Sequence, residues 1–217
     1  MSFTMQLITG KINVVTGLHI GSGDTEMHIG GTDNAVIKNG NEPYIPGSSL
    51  KGKMRSLLYV YTGSTENAEN PTLAKLFGVA AGDKTNKTTE LKTARLSFWD
   101  CFLNAEWKEH CKKRDVLYTE TKIENTINRH TGTSNNIRSN ERVIPGAVFD
   151  FKLTVKVYDD EDLLSVILGT MKLLETDSLG GSGSRGYGKI KFSNLQIDNR
   201  DIQTEFDNIQ PFKQRFI

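Results

Sequence analysis

The chain is poor in several things, and each shortage closes off a class of protein. Only two cysteines, Cys101 and Cys111, occur among its 217 residues, too few for a disulfide framework. No apolar run approaches the roughly 18 residues that a membrane-spanning helix needs. The first ten residues lack a basic stretch followed by an apolar one, so no secretory signal is expected. The expected compartment is therefore the cytoplasm, with no membrane partner. Net charge is nearly absent: 27 Lys and Arg against 26 Asp and Glu leave +1 with neutral histidines. Dedicated duplex binders are often strongly basic, so any nucleic-acid surface here must be local. The bases gather at Lys51–Arg55, Arg129–Arg142 and Arg185–Lys191, while acids cluster at Asp159–Asp162 and from Asp198 to Asp207.

Glycine, by contrast, is concentrated. It supplies five of the ten residues from Gly180 to Lys189, and Arg185, Tyr187 and Lys189 share that stretch. Exposed N–H groups in such a loop form an anion-binding concavity, and Arg185 and Lys189 add charge for phosphate. A plain turn between helix and strand is the competing reading.

The surrounding pattern predicts a strand over 5–15 and a helix opening at Pro46-Gly47-Ser48 with Ser48 as its cap. Leu50, Met54, Leu57, Leu58 and Tyr61 form its apolar face, and Gly63 ends it. A short helix is expected at Pro71–Phe77, strand pattern over 94–103 and a short helix over 105–114. Val148–Tyr158 alternates cleanly as a strand. Asp159–Asp162 are expected to cap a helix running to about Glu175, Ile190, Phe192, Leu195 and Ile197 mark a last strand, and the tail from Asn199 is only weakly patterned. The order strand, helix, strand, strand, helix, strand is that of an α+β, ferredoxin-like (RRM-like) antiparallel sheet. The expectation is one domain over 1–217, with insertions at about 16–46 and 104–147. The second insertion, around Lys122–Arg142, has no core face and reads as a projecting hairpin or a disordered loop.

Several residue sets bear on chemistry. Gly47 to Met54 nearly matches a phosphate-binding Walker A loop, but Met54 replaces the hydroxyl that would meet magnesium. Cys101, His110 and Cys111 lack the paired spacing of a structural zinc site. His19 and His28 flank a glycine-rich stretch and suit either acid–base cleavage of RNA or a binding role. Lys51 and Arg55, one turn apart, are either a phosphate-binding face at the helix N-terminus or a solvated one. Asp33 stands alone after Gly30-Gly31-Thr32: an Asx-turn, or a carboxylate that helps hold a divalent cation with water and phosphate oxygens.

Taken together, Thr16 to Gly21, Ile45 to Arg55, Glu124 to Arg129 and Leu179 to Lys189 resemble the backbone RAMP subunit of the type III-A CRISPR effector, the Csm complex. The resemblance runs from Thr16 to Phe192. It implies a ferredoxin-like palm whose copies stack along a CRISPR RNA beside other Csm subunits. It also implies a thumb-like hairpin, matched here by Lys122–Arg142, that displaces nucleotides of the guide–target duplex. Asp33 falls where the family carries the aspartate needed for metal-dependent cleavage of target RNA, with Mg2+ or Mn2+ as the expected cation. His19, Ser48, Lys51, Lys53, Arg55, Arg129, Arg138, Gly181, Gly183 and Arg185 are the RNA-binding residues that the resemblance implies. One departure is local: Asn34 and Ala35 stand where a small hydroxyl residue and proline are expected. The competing functions are a purely structural guide-binding subunit and a metal-independent nuclease for precursor CRISPR RNA.

Overall fold

A computed structural model describes residues 2–23, 34–65, 70–79, 93–159 and 161–213. Strand β1 (Phe3–Val14) is followed in chain order by a short hairpin of β2 (Lys38–Asn39) and β3 (Glu42–Pro43) and by helix α1 (Gly47–Tyr61). Helix α2 (Pro71–Phe77), strand β4 (Leu96–Phe98) and helix α3 (Ala105–Lys113) follow. A long hairpin of β5 (Thr119–Ile127) and β6 (Ser134–Val143) leads to β7 (Val148–Tyr158). Helix α4 (Leu164–Thr176), β8 (Ile190–Ile197), β9 (Arg200–Asp201) and a final helix α5 (Gln203–Asp207) complete it.

The main sheet has the order β4-β7-β1-β8-β9, with antiparallel neighbours. Its four long-range strands thus lie second–third–first–fourth in chain order, the ferredoxin-like arrangement. Alternation decides which face is buried. Ile8 and Ile12 pair with Leu153 and Phe149, and all four are fully buried. They meet Leu50, Met54 and Leu58 of α1 and Ile167, Met171 and Leu174 of α4 in one core. Each such side chain contributes about 1.5–3 kcal/mol on burial. The opposite face stays open, with Phe3, Met5, Leu7 and Trp99 exposed.

The uneven spacing of Ile190, Phe192, Leu195 and Ile197 has a structural cause. Thr9 pairs with Gln196 and Lys11 with Ser193, so an extra β8 residue is accommodated opposite Gly10. Asn194 takes a left-handed φ of 55° there. This bulge resets the alternation and returns Leu195 to the core.

Four local expectations need correction. Ser48 does not cap α1: Pro46 is the cap, and Asp100 Oδ1 accepts from the Gly47 N–H at 2.8 Å. The 94–103 strand pairs continuously only at Leu96–Phe98, while Cys101 and Leu103 make single bridges to Ile45 and Phe149. The chain leaves the ladder where Asp100 turns to α1. The acidic run does not supply the cap of α4, whose cap position is Leu163; Asp162 accepts only from the Leu164 N–H, at 3.2 Å. Finally, the segment after Asn199, which lacks a clear periodic pattern, forms α5 and buries Ile202 and Phe206. Among the described residues, no helix is long and apolar enough to cross a membrane.

Candidate functional site

The hairpin β5–β6 joins the palm at a polar groove of about 630 Å³, lined by residues of the hairpin, the glycine loop, His19 and Asn34. The groove follows from strand alternation. Lys122 pairs with Asn140 and Glu124 with Arg138, so these side chains share one face of the hairpin, and Ile123 is exposed. The register shifts between Glu124 and Thr126, where Asn136 adopts φ 54°. The hairpin bends at that bulge.

Glu141, next to the groove residue Asn140, ties the hairpin base to the segment that follows Asn34. Its buried carboxylate accepts from Val36 N–H at 3.0 Å, Lys38 Nζ at 2.6 Å and Thr119 Oγ1 at 2.7 Å. Burial alone would raise its pKa, but Lys38, the Val36 N–H and Thr119 together hold it below the ordinary value. The Glu141 N–H donates to Asn34 O at 3.0 Å. Asn34 Nδ2 donates to Asn140 Oδ1 at 2.6 Å. The departure from the expected hydroxyl residue therefore has a local purpose: Asn34 fastens the chain to the hairpin base immediately after Asp33. Asp33 itself, like His28, lies outside the described residues.

His19 Nδ1 bonds the Glu141 carbonyl at 2.7 Å. A carbonyl only accepts, so Nδ1 carries the proton and Nε2 is left for a ligand. The glycine loop rests on the same residue. Gly180 has φ 76°, and a Cβ there would stand 2.2 Å from His19 O. The Gly181 N–H donates to that oxygen at 2.8 Å.

Part of the loop's N–H set is committed within the protein. The N–H groups of Gly181, Arg185, Gly186, Tyr187 and Gly188 all donate to carbonyls of the protein. Lys189 Nζ is also used internally, on the Thr176 and Asp177 carbonyls at the end of α4. Gly183 packs so closely that a Cβ would lie 2.0 Å from Ser178 Oγ. At the groove the loop presents the Arg185 side chain, Ser182 and the exposed Gly181.

The structure thus brings His19, Arg138, Gly181 and Arg185 to one groove. Ser48, Lys51, Lys53 and Arg55 lie on α1, apart from its lining. Ser48 and Lys51 are exposed, and Lys53 pairs with Asp177 at 2.6 Å. Arg129 sits exposed in the hairpin turn. The Walker A resemblance fails because Gly47–Met54 is helical and Met54 is fully buried. Burial pushes the Cys101 thiol up to about 12, unlike a zinc ligand.

Sequence reasoning missed Lys122, Glu124, Asn136 and Asn140 as groove residues. The signal was the alternation Lys122-Ile123-Glu124, readable once the segment is a strand. Glu124 Oε1 meets Lys122 Nζ at 3.1 Å, and its Oε2 meets Arg185 Nε at 3.2 Å. Burial raises its pKa, but Lys122 and Arg185 contribute to a net lowering. Beneath them the Tyr187 ring is fully buried, with Lys122 Nζ at 4.4 Å and Arg142 Cζ at 5.0 Å from its centroid. Burial first, and then Glu124, push its phenol up, but its hydroxyl is not in hydrogen-bonding geometry with any described residue. Among the described residues, no three His, Cys, Asp or Glu side chains converge to hold a metal ion.

The family model of the RAMP superfamily matches residues 11–191. The chain belongs to that superfamily. Within it the chain belongs to the Csm3 family. The protein named CRISPR system Cms endoribonuclease Csm3 from Streptococcus thermophilus is 43% identical over 222 residues, covering 94% of this chain and 96% of that protein. Its namesake from Enterococcus italicus is 39% identical over 211 residues, covering 93% and 94%. The crystal structure of a Csm3-Csm4 subcomplex in the type III-A CRISPR-Cas interference complex contains a chain with a TM-score of 0.58 and 28% identity. That match covers 95% of this chain and 96% of the other. In this RAMP chain the expected palm and thumb are the β4-β7-β1-β8-β9 sheet with its helices, and the hairpin β5–β6.

Proposed function

We propose that this chain is a guide-RNA-binding backbone subunit of a type III-A CRISPR effector that cuts the target RNA paired to the guide. The reading places Asp33 at the reaction centre, with a divalent cation, Mg2+ or Mn2+, required. The observation that carries it is the groove at the hairpin base, where His19, Arg138 and Arg185 converge beside Asn34, the neighbour of Asp33. Endoribonuclease relatives about 40% identical over nearly the whole chain support it, as does the Csm3-Csm4 subcomplex.

Base pairing with the guide supplies sequence specificity, while the protein reads backbone and shape, as in other RNA-guided systems. The projecting hairpin displaces nucleotides and frees the local backbone from regular A-form geometry. Arg138, Arg185 and the α1 cations Lys51, Lys53 and Arg55 bind phosphates, and Arg129 extends that contact along the hairpin. Asp33 assists attack of a ribose 2′-OH on the adjacent phosphate. The 2′-OH proton passes to a base, the new O–P bond closes a 2′,3′-cyclic phosphate, and the bond to the 5′-oxygen breaks, that oxygen taking up a proton and leaving as a 5′-hydroxyl. Asn34 fastens the neighbouring chain to Asn140. A bound cation supplies charge neutralisation at phosphate oxygens. Partners are CRISPR RNA, target RNA, further copies of this chain and other Csm subunits; the open sheet face with Phe3, Met5, Leu7 and Trp99 is suited to subunit contact.

The test is target-RNA cleavage by the reconstituted effector, wild type against Asp33→Ala, with magnesium and with EDTA. Asp33→Ala and EDTA should each abolish cleavage while guide and target binding persist. Wild-type cleavage by Asp33→Ala would remove Asp33 from the reaction, and cutting in EDTA would remove the cation. Metal-independent cutting of precursor RNA by the isolated subunit would favour a processing nuclease.

A further inference from the structure

We propose that Glu124 is an internal stand-in for phosphate: it occupies Arg185 and Lys122 in the RNA-free protein, and RNA seats at this groove by displacing it. One carboxylate here serves two cations from different parts of the chain, Lys122 at 3.1 Å on its own strand and Arg185 at 3.2 Å on the glycine loop. Asn140 Nδ2 adds a contact to Oε2 at 3.3 Å. The Arg185 side chain is 58% exposed and that of Glu124 is 20% exposed, so the guanidinium is open to a phosphate arriving from solvent. Ser182 Oγ accepts from Arg185 Nη2, and the Tyr187 ring holds the Lys122 ammonium at the groove. Both cations therefore remain in place when the carboxylate lets go. A phosphate can offer two oxygens to the Arg185 guanidinium, where Glu124 offers one at 3.2 Å and gives the other to Lys122.

The inference rests on the reading above, that RNA phosphate meets this groove. Its consequence is an affinity threshold. One subunit must break an existing pair to gain a phosphate contact, so tight binding requires several subunits acting on one strand.

The experiment uses the isolated full chain and a fluorescein-labelled oligo-uridine, with binding followed by anisotropy across a salt series. Glu124→Gln should tighten binding about tenfold at low salt. The log–log salt slope should stay within about 0.5 of wild type, because the same two cations meet phosphate in both complexes once Glu124 is displaced. Glu205→Gln, an equal change in net charge on α5 at the far end of β8, should leave both unchanged. If Glu205→Gln tightens binding as much, bulk charge explains the effect and the proposal fails. If Glu124→Gln binds equally or less tightly while Arg185→Ala weakens binding, the competitor role is wrong and the phosphate reading of Arg185 stands. If neither Arg185→Ala nor Lys122→Ala alters binding, the phosphate reading of the groove falls, and this inference with it. Should Glu124→Gln fail to fold, the wild type decides: its Glu124 carboxyl 13C resonance should move on saturation with oligo-uridine, and no movement overturns the proposal.

Discussion

Glu161 is where acid should act on this fold first. Its carboxylate takes two bonds from Arg95, at 2.9 and 3.3 Å, and one from Lys75 at 2.9 Å. Arg95 is itself buried and stacks on Tyr158 at 4.3 Å. The cluster thereby ties α2, the start of β4 and the end of β7 together. The Arg95 hydrogen bonds hold the Glu161 pKa at about 2, against an ordinary 4.5. At about 1.4 kcal/mol per pK unit, that fall corresponds to at most about 3.4 kcal/mol, and screening at the half-exposed Lys75 reduces it to about 2 kcal/mol. A depressed carboxylate pKa contributes stability that is complete above 4.5 and disappears as pH falls toward 2. Glu161→Gln should therefore be about 2 kcal/mol less stable than wild type at pH 7, with the gap closing between pH 4.5 and pH 2.5. Urea denaturation of both proteins at pH 7, 5, 4 and 3 measures the gap, and other acids cancel in the difference. An equal gap at pH 7 and pH 3 would refute the electrostatic account and leave only lost packing.

Two further substitutions test the scaffold of the groove. Gly180→Ala places a Cβ against His19 O at φ 76° and should cost at least about 2 kcal/mol in urea denaturation; a loss under about 0.5 kcal/mol would mean that the loop does not rest on His19. Glu141→Gln removes the charge that holds Lys38 and weakens the anchor on Val36. Local opening should become easier by about 1.5–3 kcal/mol, seen as hydrogen exchange at the Val36 amide at least about tenfold faster at pH 7. Because the Glu141 pKa is depressed, the same loosening should appear in wild type as pH falls below about 4.5, and an unchanged Val36 exchange rate would contradict both statements.

What the sequence by itself determined is the local frame. The strict alternation of Val148–Tyr158 sets a half-buried strand, and the i, i+4, i+7 spacing of Leu50, Met54 and Leu57 sets α1, because periodicity reports which face meets a core. The lack of a core face in Lys122–Arg142 marked a projection. The grouping of Arg185 with glycines marked a loop of consequence. Tertiary structure decided the rest, since it turns on partners distant along the chain. Nothing near Gly181 or Lys189 says that their donors go to His19 and to the end of α4. The Glu124–Arg185 pair spans 61 residues of sequence, and the Asn34–Asn140 and Glu141–Val36 bonds each span more than 100. Asp100 as the donor-capping group of α1, and the bulge that returns Leu195 to the core, are of the same kind. Sequence pattern fixes the face a residue presents, but which charge or N–H group it meets depends on how separate elements come together.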